Sequence, residues 1–350
     1  MKYIITFSIL LSFIISGCKS SYVTLQVLQP SVITIPEDIQ KVAIVNRTRP
    51  SEENKTRSIV EGVIQGQGIY ADRDGAEDCL FGLRDALSHT GRYSAVIQPT
   101  GIDLRGTGTG VFPALLPWDQ VQKICTDNSA DILIVLEVFD SESRIDPSKG
   151  PDITTNNREG RPIIVPTFNA NLFTRVTSGW RIYDPKYKRI IDEYKTENHT
   201  NALAKEAPTP EQAIAKLPLK RDAVKQLGMA EGGRYSTRIS PTWINVTRTY
   251  YTDDNDEFKK ATRMARANDW KGAAEIWKKQ TTSADKKIAG RACYNMGVAS
   301  EVLGNLDAAL QWANKSYEEF SNKAALQYTR QLNQRIDDRN RLNQQENTKE

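Results

Sequence analysis

The sequence predicts an α/β domain with a mixed sheet and flanking helices, followed by an α-helical repeat domain. Three observations predict it. Val42-Ala43-Ile44-Val45 and Ile132 to Val138 are apolar runs rich in β-branched residues and edged by turn or helix signals, the pattern of central strands. Between them Ala76, Leu80, Leu83 and Leu87 recur at helical spacing. From Asp256 the composition changes to helix formers, and Ala261, Trp270, Ala273, Ala274 and Trp277 are answered 36 residues later by Gly297, Leu306, Ala309, Leu310 and Ala313.

A length of 350 residues fits two folded units at roughly 150 residues each. Forty-seven Lys and Arg against 43 Asp and Glu leave the net charge near balance, so a nucleic-acid binder is not expected. Only His89 and His199 are present, which puts histidine triads and multi-histidine metal sites nearly out of reach.

The helix over about Arg73 to His89 ends at Gly91, and Tyr93 to Ile97 forms the next strand. A second helix opens at Pro117-Trp118 and stops at Asn128. Phe168 to Ile182 alternates apolar and polar residues at period two, which predicts one long half-buried strand. Asp184-Pro185-Lys186 supplies turn chemistry, and Arg189 to Thr196 returns as its hairpin partner. Thr209-Pro210-Glu211 starts a short helix with an N-cap and a proline at N1. A further helix from about Leu219 is weakened by Gly228, Gly232 and Gly233 and closed by Ser240-Pro241. The basic and aromatic stretch Arg234 to Tyr251 reads as a corner packed on the sheet. The loops Gln98 to Pro117 and Asp146 to Pro166, rich in Gly or in Pro and Asn, are where a binding lip is expected.

No cofactor is expected. Thr107-Gly108-Thr109-Gly110 lacks the Gly-Lys-Ser/Thr ending of a phosphate loop and runs into Phe112-Pro113 instead of a helix. Cys79, Cys125 and Cys293 are odd in number and widely spaced, so they read as buried thiols.

Lys2, the apolar run Ile4 to Ile15 and the small residues Ser16-Gly17 precede Cys18, an order that describes a secretion signal too short to span a bilayer. Ile15-Ser16-Gly17-Cys18 resembles the bacterial lipobox. The resemblance implies cleavage before Cys18 and acylation of its thiol, a lipid anchor strong enough to hold the chain at a membrane. No aspartate follows Cys18 and no acidic cluster, so by the same resemblance the address is the periplasmic face of the outer membrane, with outer-membrane lipid as the first partner.

Order and segment lengths of the middle region resemble the small periplasmic domain of curli-secretion and penicillin-binding-protein-activator lipoproteins. Tyr294, Met296-Gly297, Gly304, Leu306, Ala309 and Ala313 resemble the tetratricopeptide (TPR-like) pattern, although helical hairpins of another repeat class stay open. In that family the first helix of each pair lines a partner groove. Carried over, the lining is Phe258, Thr262, Ala265, Arg266, Arg291, Tyr294, Val298 and Glu301. The Lys/Asn arrangement that clamps a peptide carboxylate in some members is absent. The groove is either open to an envelope protein or peptide partner or docked on the α/β domain.

Together with the Trp180-Arg181-Ile182-Tyr183-Asp184-Pro185 strand end and the Ser240 to Tyr251 stretch, these features resemble Bacteroidota lipoproteins of unassigned function with a tetratricopeptide tail. The expected organisation is a signal peptide at 1–17, a tether at 18–35, the α/β domain at 36–252, helical repeats with a capping helix at 253–338 and a disordered tail at 339–350. The expected role is a non-enzymatic adaptor with no nucleic-acid partner. Its rivals are an envelope hydrolase or glycan-binding enzyme, using Asp72 with Asp74 or Asp140 with Glu142, and a secretion-channel component built on the long hairpin with Arg175 and Arg181.

Overall fold

The computed structural model describes residues 20–49 and 71–347. The signal peptide and Cys18 lie outside the described residues. In chain order the elements are strand β1 (Ser20–Gln29), β2 (Lys41–Asn46), helix α1 (Ala71–Thr90), β3 (Ala95–Ile97), α2 (Trp118–Asp127), β4 (Ile132–Lys149), β5 (Ile153–Asn156), β6 (Pro162–Val165), β7 (Phe168–Asp184), β8 (Arg189–Ala207), α3 (Pro210–Ala215), α4 (Lys220–Ile239), β9 (Thr242–Tyr251), α5 (Asp256–Arg266), α6 (Trp270–Gln280), α7 (Lys286–Val302), α8 (Leu306–Glu318) and α9 (Lys323–Glu346). The protein is thus mixed α/β with a helical carboxy-terminal region. It divides into two compact units, residues 30–242 and residues 20–29 with 243–343.

The first unit is built on a five-stranded sheet of order β3-β2-β4-β7-β8. Strands β3, β2 and β4 run parallel, while β7 runs antiparallel to both of its neighbours, β4 and β8. Alternate residues of the apolar runs face opposite layers. Val42, Ile44, Ile132 and Ile134 pack with Leu80, Leu83 and Leu87 of α1 and Val224, Leu227 and Tyr235 of α4. Ala43, Val45, Leu133 and Val135 pack with Val121, Ile124 and Cys125 of α2. Burial on both faces explains why these strands read as unbroken apolar runs.

The glycines of α1 and α4 serve packing. A Cβ at Gly232 would lie 1.8 Å from the carbonyl oxygen of Cys79, and one at Gly82 would lie 2.1 Å from that of Met229. The two helices therefore touch backbone to backbone, a contact no other residue permits. Gly233, by contrast, has open space around it.

The second unit pairs β1 with β9 and packs this ribbon with helices α5 to α9. Each of α5 to α8 begins at an Asn or Asp whose side chain accepts a backbone N–H of the first turn: Asn255, Asp269, Asp285 and Asn305. Trp270, Trp277, Leu306, Tyr294 and Tyr328 fill the core, and Ala273 and Ala309 are fully buried where bulk would not fit.

Four expectations need correcting. Ser20–Gln29 is a strand where a tether was expected, because β9 gives its backbone a partner. Arg248, Tyr250 and Tyr251 pack in the helical unit and not on the sheet. The loop expected from Asp146 is replaced by the continuation of β4 to Lys149 and the exposed hairpin β5–β6. Finally, α9 stays helical to Glu346 where a disordered tail was expected from 339, with Arg339 bonded to Asp307 at 3.2 Å.

Replacing Gly232 by alanine should lower unfolding free energy by about 3 kcal/mol or more, since backbone must move. Gly233→Ala should be neutral or stabilising by about 0.5–1 kcal/mol through helix propensity. Urea titrations of the two variants check the pair, and equal effects would contradict the helix contact.

Candidate functional site

The positions expected to line a groove are largely covered. Phe258, Thr262, Ala265, Tyr294, Val298 and Glu301 are buried, Arg291 is half-buried and Arg266 is exposed. The cover is the protein's own strand β9 and the residue after it. Asn295 takes the backbone of Tyr251 in both directions: its Oδ1 accepts the N–H at 2.8 Å, and its Nδ2 donates to the carbonyl at 2.7 Å. Thr262 Oγ1 donates to the Thr252 carbonyl at 3.2 Å. Tyr251 meets the ring of Tyr294, and the Arg291 guanidinium lies 4.5 Å from the Tyr251 ring while pairing with Asp254.

Glu301 anchors the arrangement from within. Arg248 of β9 donates through Nε to Oε2 at 2.8 Å and through Nη2 to Oε1 at 3.0 Å, while Arg335 Nη1 and the Tyr328 hydroxyl add one bond each at 2.8 Å. Two guanidiniums on one buried carboxylate give a geometrically demanding clamp.

Beside this clamp an open cleft of about 440 Å³ runs between β1, β9 and α9. Val27, Ile244 and Val246 supply its apolar side. Gln327, Arg330, Gln331 and Gln334, one helical stripe of α9, supply its polar side. Among the described residues Arg330 makes no ion pair. The sequence reading took this helix only as a cap. The signal it offered was the glutamine and arginine spacing on one face.

In the α/β unit, a buried charge cluster organises the end of the sheet where the chain leaves β2. Glu137, fully buried, accepts from Arg47 Nη1 at 3.0 Å and from the Tyr183 hydroxyl at 2.5 Å, and lies 3.6 Å from Arg181. Burial raises its carboxyl above the usual range, against the pull of the Tyr183 bond and the two guanidiniums. The same groups hold the long loop after β3. Arg47 donates to the carbonyls of Arg105 and Ala114 at 3.1 and 2.7 Å, Arg181 donates to that of Pro113 at 2.8 Å, and the Leu116 N–H donates to the Tyr183 oxygen at 3.3 Å. This cluster was missed from sequence, where Glu137 was one acid inside an apolar run.

The loop also borders a small polar cleft of about 120 Å³ at the carboxyl ends of β2 and β3, lined in part by Asn46, Arg49, Glu77, Gln98 and Asp103. Sheets of this kind bind ligands where neighbouring crossovers depart in opposite directions. Here the polar groups are mutually engaged: Asn46 Nδ2 donates to Glu77 at 3.0 Å, and Gln98 accepts from Arg84 at 3.3 Å.

The expected carboxylate pairs are regrouped. Asp74 is tied to Arg221 at 2.5 Å, and Glu142 to Arg175 at 2.6 Å. The two left near each other are Asp72 and Asp140. Burial pushes Asp72 up to about 6, the charge of Asp140 adds to the rise, and bonds from Ser141 oppose it. The long hairpin of the channel reading has Val176, Trp180 and Ile182 in the core under α1 and α4, with Arg181 in the Glu137 cluster. Groups of three or more His, Cys, Asp or Glu able to hold a metal are absent among the described residues. Cys79, Cys125 and Cys293 are free and buried.

A mixed five-stranded α/β unit joined to a helical unit is thus the class of protein these elements define. Residues 39–251 match the family described as "Domain of unknown function (DUF8603)", and the chain belongs to that family. Residues 259–334 match a second, "Domain of unknown function (DUF6340)". No curated protein sequence matches. Among solved structures the chain is similar to a PelC dodecamer from Paraburkholderia phytofirmans, at 5% identity over 63% of this chain and 99% of that one, TM-score 0.23. It is also similar to a putative neuraminyllactose-binding hemagglutinin homolog from Helicobacter pylori, at 14% identity over 59% and 85%, TM-score 0.25. A minor lipoprotein from Acinetobacter baumannii matches at 10% identity over 59% and 99%, TM-score 0.22. Scores at this level define no function. Among the described residues no helix is long and apolar enough to cross a membrane.

Glu137→Ala leaves the buried Arg47 guanidinium without a carboxylate, while Arg181 keeps Glu193, and should cost about 3 kcal/mol, with new proteolytic cuts between residues 98 and 117 under native conditions. Asp72 follows the opposite logic. Its folded value lies above that of a free aspartate, 3.8, so the neutral acid favours the fold. That contribution is complete below about pH 3.8 and is lost as pH rises through about 6. Asp72→Asn, permanently neutral, should therefore exceed the parent in stability at alkaline pH by roughly 2 kcal/mol and match it near pH 4, as read from melting curves.

Proposed function

We propose that this protein is a bacterial envelope lipoprotein of the Bacteroidota kind, anchored through acylated Cys18 on the periplasmic face of the outer membrane. It acts without catalysis as an adaptor whose tetratricopeptide-like helical unit holds a partner polypeptide. The observation that carries this reading is the 440 Å³ cleft. Its glutamine carboxamides donate and accept, as the backbone of an extended peptide requires, and Arg330 adds a cation without an ion-pair partner among the described residues. An extended envelope segment carrying a carboxylate fits that lining. Since β9 already occupies the positions where a repeat groove is expected, the partner site on this reading is the neighbouring cleft.

A second reading, an envelope hydrolase or glycan-binding enzyme, has Asp72 and Asp140 in its favour, because one carboxyl held neutral near pH 6 beside another suits acid–base work.

A photo-crosslinking residue at position 331 should capture an envelope protein in intact cells, whereas the same residue at exposed position 266 should not. Arg330→Glu should cut recovery about tenfold, equivalent to ~1.4 kcal/mol. Cys18→Ser should release the folded protein from the membrane fraction. Absence of any adduct at 331 from a folded, anchored protein would overturn the adaptor reading.

A further inference from the structure

Strand β8 is the last of the five-stranded sheet, and among the described residues only one of its edges is paired. Asp192 to Ala204 runs in unbroken register against Ile182 to Ala170 of β7, and the two irregularities of the pairing lie at its ends. Among the described residues, no other backbone group bonds to Ile190–Ala207. Proteins usually protect such an edge with mid-strand charge, proline or a bulge. Here Asn198-His199-Thr200-Asn201-Ala202-Leu203-Ala204 contains no Lys, Arg, Asp, Glu, Pro or Gly. The seven residues are an open template for another strand.

The charges on either side indicate which strand fits. Glu197, His199, Asn201, Leu203 and Lys205 alternate onto one exposed face, whereas Asp192 and Ala204 on the other are buried. In an antiparallel pair, directly opposed residues share a face, so a strand meeting its own copy can pair only odd positions with odd and even with even. Centred on Thr200, Lys195 would face Lys205. Centred on His199, Asp192 would face Glu206. Centred on Asn201, Glu197 faces Lys205 at both ends, Leu203 faces His199, and no like charges are opposed.

We propose that β8 pairs edge to edge with β8 of a second copy of this chain, about a two-fold axis at Asn201, joining two sheets into one. The interface is isologous, so the strand that donates at one end accepts at the other.

The register is directly testable in the full chain in mild detergent. Asn201→Cys places two thiols on opposed residues whose Cα atoms lie about 4.5–5.5 Å apart, within disulfide reach. Mild oxidation should link this variant into dimers at least about tenfold more than Lys195→Cys, whose copies lie far from the axis. Cys79, Cys125 and Cys293 are buried, and a link through Cys18 would appear equally in both variants. Lys205→Glu should weaken the dimer about tenfold in sedimentation velocity, and adding Glu197→Lys should restore it, with melting temperatures unchanged. A chain that stays monomeric at its solubility limit, a dimer that links equally at 195 and 201, capture of a foreign strand only, or a charge swap that fails to restore pairing would each overturn the proposal.

Discussion

Glu137 is the group on which the arrangement of the α/β unit depends. It sits mid-sheet on β4, and its two guanidinium partners and one phenol come from the end of β2 and from β7. Each partner also bonds a carbonyl or amide of the long loop after β3, and Arg181 donates in addition to Glu193 of β8 at 2.6 Å. A buried charge is costly alone, and satisfying it recruits the loop backbone into fixed geometry. The loop is thereby ordered without secondary structure of its own. Gly106 completes the fit, because a Cβ there would stand 2.3 Å from the carbonyl oxygen of Arg47.

The helical unit solves a different problem with the same chemistry. Two helical hairpins and a final helix leave an apolar face that needs cover. The cover is a strand, and a strand against helices leaves backbone polar groups to satisfy. Asn295 meets the Tyr251 amide and carbonyl together, and Glu301 receives Arg248. Buried Tyr250 packs against Trp270 and Trp277, their ring centroids 5.5 and 5.9 Å away. The face that would hold a foreign peptide is thus served by a segment of the same chain.

What the sequence revealed followed from periodicity. The β-branched runs at Val42 and Ile132, the helix at Ala76 to Leu87 and the alternation from Phe168 each correspond to an element of the fold, because local pattern and burial agree there. What escaped it depends on residues far apart in sequence. Ser20–Gln29 carries an alternating pattern, yet its partner lies more than two hundred residues away, so it read as tether. Gly228 and Gly232 looked like helix weaknesses until Cys79 and Gly75 were seen against them. Asp72 and Asp140 were each paired with a neighbour in sequence, whereas folding brings them to each other. The groove positions were legible as one helical face, but nothing local told that β9 would fill it.

The pairing of β1 with β9 has a consequence for biosynthesis. Strand β1 leaves the ribosome before the α/β unit, and its partner β9 follows only after that unit, at about 5–20 residues per second. Val23 and Val27 must therefore travel uncovered while the intervening domain is made. Closure of the helical unit is accordingly a late, non-local event.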